Sequence, residues 1–594
     1  MTAREHRTPA GAILEPKSDI RFRLWAPDAE TAGLFLDGGR AAFTTRKTSD
    51  GWHELLTQEA KPGSFYQYVL RDGMIVPYPA SHFQPDDGEG PSEVIDPASY
   101  DSTVDWSCRD WVDVILCEIH IGAFTAEGAV RAAIEKLDHL ACLGVPAIEI
   151  TPVSDFPDRR NWGYDGVLLY APDSYYGRLE DSKALVEAAH ARGIAALPDV
   201  VYSHFGPNGN HLPLCASAFF AELRHTPRGA AINYDGCGSK PVREFVIHNA
   251  LYWPEEFNLD GLRFDAAPAI IDEGAKHLLD ELGARAPPLA DRPIHLLLEN
   301  QENDARWLFR QVCAPTHYTA QWNDDLHHVP HVAATHERAR YYADYQGRTD
   351  LLAKALAEGF AYQGQTMSYS GSPRRTPSGS LPPGAFVAFI QNHDQIGNRA
   401  FGDRLGVIAP ANVMRALFAV YQLLPQAPMI FIGEEWAARQ PFPFFCDFDR
   451  DLADAVREGR REEFARCPEF ADPEQRGRIP DPLAAATFRA AKLNWNLIDA
   501  AHLRRYQALL LVRKRKIAPL LKQIKRSGAG AVYGEGAVEV QWRNDFDETR
   551  PLSANLSEKP VELPPAPGRS LWCEGDCGPA LGPWSVRWSV ETPR

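Results

Sequence analysis

Nowhere in this 594-residue chain is there a run approaching the ~18–20 consecutive apolar residues that a membrane-crossing helix needs, which excludes a helical membrane protein. Its first stretch, MTAREHRTPAGAILEPKSDI, lacks the apolar segment that heads a secretory leader, so a cytoplasmic protein is expected. Positive charge is short as well: 62 Lys and Arg stand against 79 Asp and Glu, a formal charge of −17. Proteins that bind a phosphate backbone usually present a basic face, and no nucleic-acid or membrane partner is expected here. The basic segments KALVEAAHAR and VRKRKIAPLLKQIKR read as solvated helix faces. The ten cysteines (Cys108, Cys117, Cys142, Cys215, Cys237, Cys313, Cys446, Cys467, Cys573, Cys577) form no C-x-x-C pair. The nearest two, in CEGDC, have no His or Cys cluster to complete a zinc site, so buried free thiols and no metal or cofactor are expected. A glycine-rich phosphate loop is missing after the first candidate strand, which counts against a dinucleotide-binding sheet. Internal repeats are absent.

What is present is an ordinary globular balance, 44% hydrophobic and 24% charged. The length exceeds one typical core and predicts two to four domains. Residues 1–95 read as an N-terminal β-sandwich resembling starch-binding modules: short runs such as IRFRLWAP, AGLFLDG and GSFYQYVL are separated by Gly, Asp and Pro. A Pro- and Asp-rich connector, VPYPASHFQPDDGEGPSEVIDP, follows. From 96 to 516, apolar runs alternate with helical patterns. VDVILCEIHI, PAIEIT, IAALPDVVY, GLRFD, IHLLLE, AFVAFIQ and APMIFIG read as strands. AVRAAIEKLDHLACLG reads as one helix with Val130, Ile134, Leu137 and Ala141 on its apolar face and Gly144 as its C-cap. This alternation suits a central parallel (β/α)8 barrel better than an open sheet. GSPRRTPSGSLPPG reads as a loop over the barrel mouth. Residues 517–594 return to strands and read as a small C-terminal β domain.

In such a barrel the C-terminal strand ends face the active site, so polar residues after apolar runs are the ones to collect. PDVVYSH ends in Asp199 and His204, GLRFD in Arg263 and Asp265, HLLLEN in Glu299, FIQNHDQ in His393 and Asp394. Each alone has a structural explanation as a turn, cap or hydrogen-bonded residue. Together they put several carboxylates on one rim without metal-spaced histidines, a pattern suited to glycosidic bond cleavage. Arg263, two residues before Asp265, shares its strand face and is expected to keep it ionised. Glu299 follows IHLLL, where desolvation is expected to raise its pKa toward that of a general acid. Asp260 lies at the strand's entry, at odd spacing from Asp265, and reads as a turn residue.

PDVVYSH, GLRFDAAPAI, LLLEN and FIQNHDQIGN resemble the four ordered signature regions of the α-amylase family of retaining glycoside hydrolases. FRLWAP, CEIHIGAFT, NWGYDGV, QWNDDLHHVPHV, NHDQIGNRAFGDRL and FIGEEWAARQPFPFFCDFD resemble, more narrowly, its malto-oligosyltrehalose trehalohydrolase branch. The resemblance implies Asp265 as nucleophile, Glu299 as acid/base and Asp394 as transition-state stabiliser. It implies that Arg263 holds Asp265, that His204 and His393 bind sugar hydroxyls, and that Asp199 supports the site from behind. The substrate implied is maltooligosyl trehalose, with a maltooligosyl trehalose synthase as functional companion. One departure is Ser203, where the family usually has the Asn that helps hold a structural calcium, so no calcium site is expected. For the trehalose unit, aromatic faces and hydroxyl partners are sought in Trp162, Tyr164, Trp322, Asn323, Asp324, His327, Gln395, Glu434, Glu435, Trp436 and the aromatic run 442–448. The alternatives are a glycogen branching or debranching enzyme with the same module, or a non-catalytic sugar-binding protein; the complete carboxylate set counts against the latter.

Overall fold

The computed structural model describes residues 5–591, apart from 17–18, 40–41, 101, 227, 288–291, 312–313 and 466. At its centre eight short parallel strands close into a barrel: β1 (Leu116–Ile119), β2 (Ala147–Ile150), β3 (Ala195–Val200), β4 (Gly261–Phe264), β5 (His295–Glu299), β6 (Ala320–Trp322), β7 (Phe386–Phe389) and β8 (Ala427–Phe431). The last pairs with the first, Leu116 opposite Met429. Seven follow the apolar runs of the sequence. β6 is only three residues long, too short for either periodicity to register.

Alternation along the strands builds the site. Leu116, Ala147, Leu197, Leu297, Ala320, Val387 and Met429 belong to a core inside the barrel, separate from the larger one around it. Two residues beyond Leu116, Ala147, Leu197 and Leu297 stand Glu118, Glu149, Asp199 and Glu299. On β4 the inward positions are Gly261 and Arg263, and Asp265 continues that alternation one residue past its end. A Cβ at Gly261 would come 2.0 Å from His295 O, so glycine is what lets β4 close against β5. The barrel interior is therefore apolar at its entry and charged at its exit.

Before the barrel, strands between Gly11 and Glu93 form a four-stranded and a five-stranded sheet. After it, a five-stranded antiparallel sheet occupies Ala529–Val590; helical backbone continues to Leu521, past the point where the sequence turns to β character. The expected single helix after β1 is two, Val130–Ile134 and Leu137–Leu143, with Gly144 at φ 92° capping the second. The break at Glu135 and Lys136 rotates the second segment, so Ala133 and Leu140 are buried while Ile134 and Ala141 are only half-buried.

The segment expected as a loop over the mouth spans both ends of the barrel. It starts beside the rim, where the Arg375 N–H donates to Glu302 O (2.9 Å), and runs to the opposite end, where Trp111 donates to Gly384 O (2.7 Å). The expectation of buried thiols holds for Cys117, Cys215, Cys446 and Cys467, whereas Cys142, Cys237 and Cys573 are exposed. Cys313 lies outside the described residues. Among the described residues no helix is long and apolar enough to cross a membrane.

Candidate active site

At the exit of the barrel lies a cavity of about 470 Å3, lined by Asp265, Glu299, His393, Asp394, His204, Trp162 and Tyr164 among others. Its electrostatic hub is Arg263, 1% exposed. Arg263 Nη1 donates to Asp199 Oδ2 and to Asp265 Oδ1, each at 3.0 Å, and Nη2 lies 2.9 Å from Glu299 Oε2. From below, its guanidinium stacks 4.0 Å from the Trp322 ring. One cation thus serves three carboxyls in a low-dielectric interior, too few to keep all of them ionised.

The consequence is visible in how the proton is held. Burial and the charge of Glu299 push Asp265 up to about 8, against the pull of Arg263. Burial acts on Glu299 too, but Arg263 and the Ala266 N–H (2.8 Å) hold it below the usual carboxylate range. A hydrogen bond joins the two carboxyls, so the pair shares one proton, and in this conformation it rests on Asp265. This reverses the allocation expected from the sequence, because Glu299 has a backbone donor that Asp265 lacks. Ala266 delivers that N–H from a left-handed conformation, φ 42°. Asp199, also taking the Tyr164 hydroxyl at 2.7 Å, is raised by burial to about 6.

His393 opens the short helix His393–Gly397, capped by Asn392. Its Nδ1 is 2.5 Å from Glu118 Oε1, and its backbone N–H donates to Glu118 Oε2 at 3.1 Å. Burial opposes the charge, but Glu118 overrides it and lifts His393 to about 9, so the ring is cationic at neutral pH. It stacks on Tyr164 at 4.9 Å. Asp394 accepts from Asn398 Nδ2 at 2.7 Å, and burial raises it. His204 Nε2 donates to Tyr164 O (3.0 Å), a carbonyl that can only accept and so fixes this tautomer, and its Nδ1 accepts from Ser203 Oγ (2.8 Å), the Ser that departs from the family pattern.

The other residues collected from the sequence divide. Trp162 and Tyr164 line the cavity, as does Phe444 from the aromatic run. Asp324 stands beside them, raised to about 8 by burial, Glu299 and Asp394, and accepts from Gln395 Nε2 at 3.4 Å. The rest face elsewhere. Trp322 packs inside the barrel under Arg263. Asn323 caps the following helix and donates to Gly359 O (2.7 Å). His327 spends Nδ1 on Ile390 O (2.5 Å) and Nε2 on the Tyr342 hydroxyl (3.2 Å). Glu434 accepts from Gln391 and Tyr506, both at 3.0 Å; Glu435 binds His139 (2.9 Å); Trp436 is fully buried. Asp260 is no turn residue: it is fully buried and takes bonds from Trp106 (2.7 Å), His190 (2.9 Å) and the Ala196 N–H (2.9 Å).

Sequence reasoning did not single out Glu118 or Glu149, although an acid inside LCEI or AIEI raises the same question as one inside GLRFD. Glu149 is pushed well above the carboxylate range, first by burial and then by Asp199. It also missed the roof. The helix Arg450–Ala465 sets Val456, Arg460 and Glu463, at helical spacing, over the cavity. Arg460 donates to Gly397 O (2.6 Å) and Arg399 O (3.0 Å), tying the roof to the segment that carries Asp394.

A closed eight-strand barrel with three carboxyls around one arginine at its exit defines a glycoside hydrolase of the α-amylase class. Residues 78–212 match the alpha amylase catalytic domain, and residues 525–588 match a domain of unknown function (DUF3459). The chain is 38% identical over 521 residues to a malto-oligosyltrehalose trehalohydrolase of Deinococcus radiodurans, covering 86% of this chain and 84% of that one. It is 37% identical over 557 residues to the enzyme of that name from Saccharolobus solfataricus, covering 91% and 94%. A Salmonella typhimurium crystal structure, provisionally named an α-amylase, superposes with a TM-score of 0.94 at 43% identity, covering 99% of this chain and 100% of that one. Likeness to a Saccharophagus degradans 1,4-alpha-glucan branching enzyme is weaker, 28% over 283 residues, covering 42% of this chain and 38% of that one. The chain belongs to the malto-oligosyltrehalose trehalohydrolase family.

Proposed function

We propose that this protein hydrolyses the α-1,4-glucosidic bond next to the terminal trehalose unit of maltooligosyl trehalose, releasing trehalose by a retaining double displacement. Asp265 is the nucleophile, Glu299 the acid/base, and Asp394 the carboxylate that stabilises the transition state through ring hydroxyls. The observation that carries this reading is the direct contact of Asp265 and Glu299 across one guanidinium, inside a chain similar over most of its length to enzymes of that name. Two carboxyls held by one guanidinium suit the roughly 5–5.5 Å spacing of a nucleophile and its acid better than the roughly 6.5–9.5 Å that inversion needs for its water.

Bond cleavage needs Asp265 ionised and the proton on Glu299. The hydrogen bond between them is the route, and a glycosidic oxygen arriving beside Glu299 supplies the acceptor that draws the proton across. Asp265 then attacks the anomeric carbon while Glu299 protonates the departing oxygen; water, activated by Glu299, releases the glycosyl unit. Cationic His393 binds hydroxyls at the cleavage point, His204, its ring nitrogens engaged by Tyr164 O and Ser203 Oγ, lines that point as a neutral ring, and Trp162 and Tyr164 offer ring faces. Asp324 and Gln395 serve the leaving side. An activity that builds the trehalose end must supply this substrate, so a maltooligosyl trehalose synthase is the functional companion. We place the reaction in the cytoplasm, where the nine described thiols, all unpaired, stay reduced.

Product analysis on defined maltooligosyl trehaloses tests the reading: free trehalose and a maltooligosaccharide one trehalose shorter are expected. New branches from amylose, with no trehalose released, would replace it with a branching enzyme. Glu299→Gln is expected to lose about 10²–10⁴-fold in kcat on an unactivated substrate with its circular dichroism unchanged.

A further inference from the structure

A second cavity, of about 700 Å3, shares no lining residue with the catalytic one. It lies between the helix Ala411–Tyr421, the segment after β8 and the start of the helix Ala500–Val512. Four arginines line it: Arg404, Arg415, Arg439 and Arg505. That concentration is unexpected in a chain carrying a net charge of −17.

Their counter-charge is incomplete. Arg415 Nε (3.1 Å) and Arg505 Nη1 (2.8 Å) divide a single carboxylate, Glu574. Arg404 is 1% exposed; its Nε and Nη1 donate to Gln440 O and Ile432 O, each at 2.7 Å, and among the described residues its Nη2 has no partner. Arg439 is exposed and, among the described residues, forms no ion pair. Of the acids in the lining, Asp499 caps the helix Ala500–Val512 through Oδ1 and keeps its charge, one carboxylate for a cavity of four arginines. Glu434 accepts from Gln391 and Tyr506, and burial lifts it to about 8, so it adds little negative charge near neutrality. A buried guanidinium with a free edge gains from an anion, and phosphate fits the fork. The remaining lining suits the body of a sugar: Phe418 and Met414 offer apolar faces, while the Gln440 amide oxygen, buried without a partner, can take a hydroxyl.

We propose that this cavity binds a phosphorylated monosaccharide, its phosphate among Arg404, Arg439 and Arg415, its ring against Phe418, and a hydroxyl on Gln440. The reading is independent of which glucan the catalytic cavity cleaves. Isothermal titration of the full-length protein with glucose 6-phosphate tests it, with inorganic phosphate and glucose as the separated parts. Saturable one-to-one binding is expected, weaker for phosphate and undetectable for glucose. It should persist with the catalytic cavity saturated by a maltooligosaccharide and weaken about tenfold or more in Arg439→Glu. Because Arg404→Met removes two bonds to backbone carbonyls and can unfold the region, the surface variant Arg439→Glu carries the decision. No saturable heat, undiminished binding to Arg439→Glu, or displacement by the maltooligosaccharide would each overturn the proposal.

Discussion

Asp260 and Asp265 flank the same four-residue strand, both buried, and their surroundings have opposite effects. Asp260 is surrounded by donors that serve it alone: the Trp106 indole, His190 and the Ala196 N–H. Burial works against its charge, yet those bonds and nearby Arg292 hold its pKa below the usual value. Asp265 has one guanidinium edge, shared with Asp199, and Glu299 beside it; its pKa rises to about 8. What separates a structural carboxylate from a reactive one is therefore the number of donors it owns, not its depth. A fully supplied carboxylate stabilises the fold and is inert, whereas an undersupplied one keeps a mobile proton at a cost in stability.

Asp265→Asn should produce the largest effect: kcat falls by about 10⁴–10⁶-fold, as for removal of a covalent nucleophile. The fold should gain. The native state holds the Asp265 proton up to about pH 8, so between roughly pH 4 and 8 the unfolded chain binds fewer protons and stability declines as pH rises. Asn removes that decline, and melting curves across this range should show a variant flatter with pH and more stable near neutrality. A variant less stable than the parent would break the contrast.

Asp260→Ala comes next and reverses the pattern. Stripping one partner from a buried cluster costs about 3–5 kcal/mol in unfolding free energy, while kcat per folded molecule stays at the parent level. Because the Asp260 pKa is depressed, its contribution exists above the unfolded value and disappears as pH falls through the folded one. Chemical denaturation at pH 7 and in acid should converge for parent and variant only at the acid end.

Glu118→Gln probes a pair between these extremes. Glu118 holds His393 charged to about pH 9, so this interaction stabilises fully below the unfolded value near 6.5 and is lost as pH climbs through about 9. The deficit of Glu118→Gln should be greatest below pH 6.5 and vanish above pH 9. Activity near neutrality should fall about 10–100-fold through loss of the cationic ring at the cleavage point. A stability deficit independent of pH would show that Glu118 only fills space.

Much of this was legible in the sequence because strand exits leave a signature: an apolar run that ends in a charged residue, as at Asp199, Asp265 and Glu299. The signature fails where direction matters more than composition. QWNDDLHH reads as a polar rim, yet Trp322 turns into the barrel, Asn323 becomes a helix cap and His327 is consumed by Ile390 and Tyr342. Nothing local distinguishes those fates, which depend on the three-residue strand β6 and the rotation it gives the next helix. Glu118 and Glu149 stayed hidden for the converse reason: each sits within a run short enough to read as plain strand, and only closure of the barrel brings them to Asp199 and His393. Asp260 misled because its donors come from residues 106, 190 and 196, none of them predictable from spacing.

The smallest expected effect tests whether the contrast between well-supplied and undersupplied groups extends to the roof. Arg460 resembles Asp260 in being fully engaged: two backbone carbonyls, Glu463 (2.9 Å) and a position 4.8 Å from the Phe464 ring. Its engagement, however, holds a helix whose own apolar support is a small satellite core of Ala400, Phe464, Cys467 and Ile479. Removing the guanidinium should therefore loosen the roof without unfolding the barrel. It would also free Gly397 O, on the segment that positions Asp394, while leaving Asp265 and Glu299 untouched. Arg460→Gln should raise KM by about tenfold, change kcat by less than threefold and leave the pH profile in place, with Arg460→Lys recovering part of the loss. A fall in kcat that matches or exceeds the change in KM would instead make Arg460 part of the support for Asp394, and the roof would join the undersupplied half of the molecule.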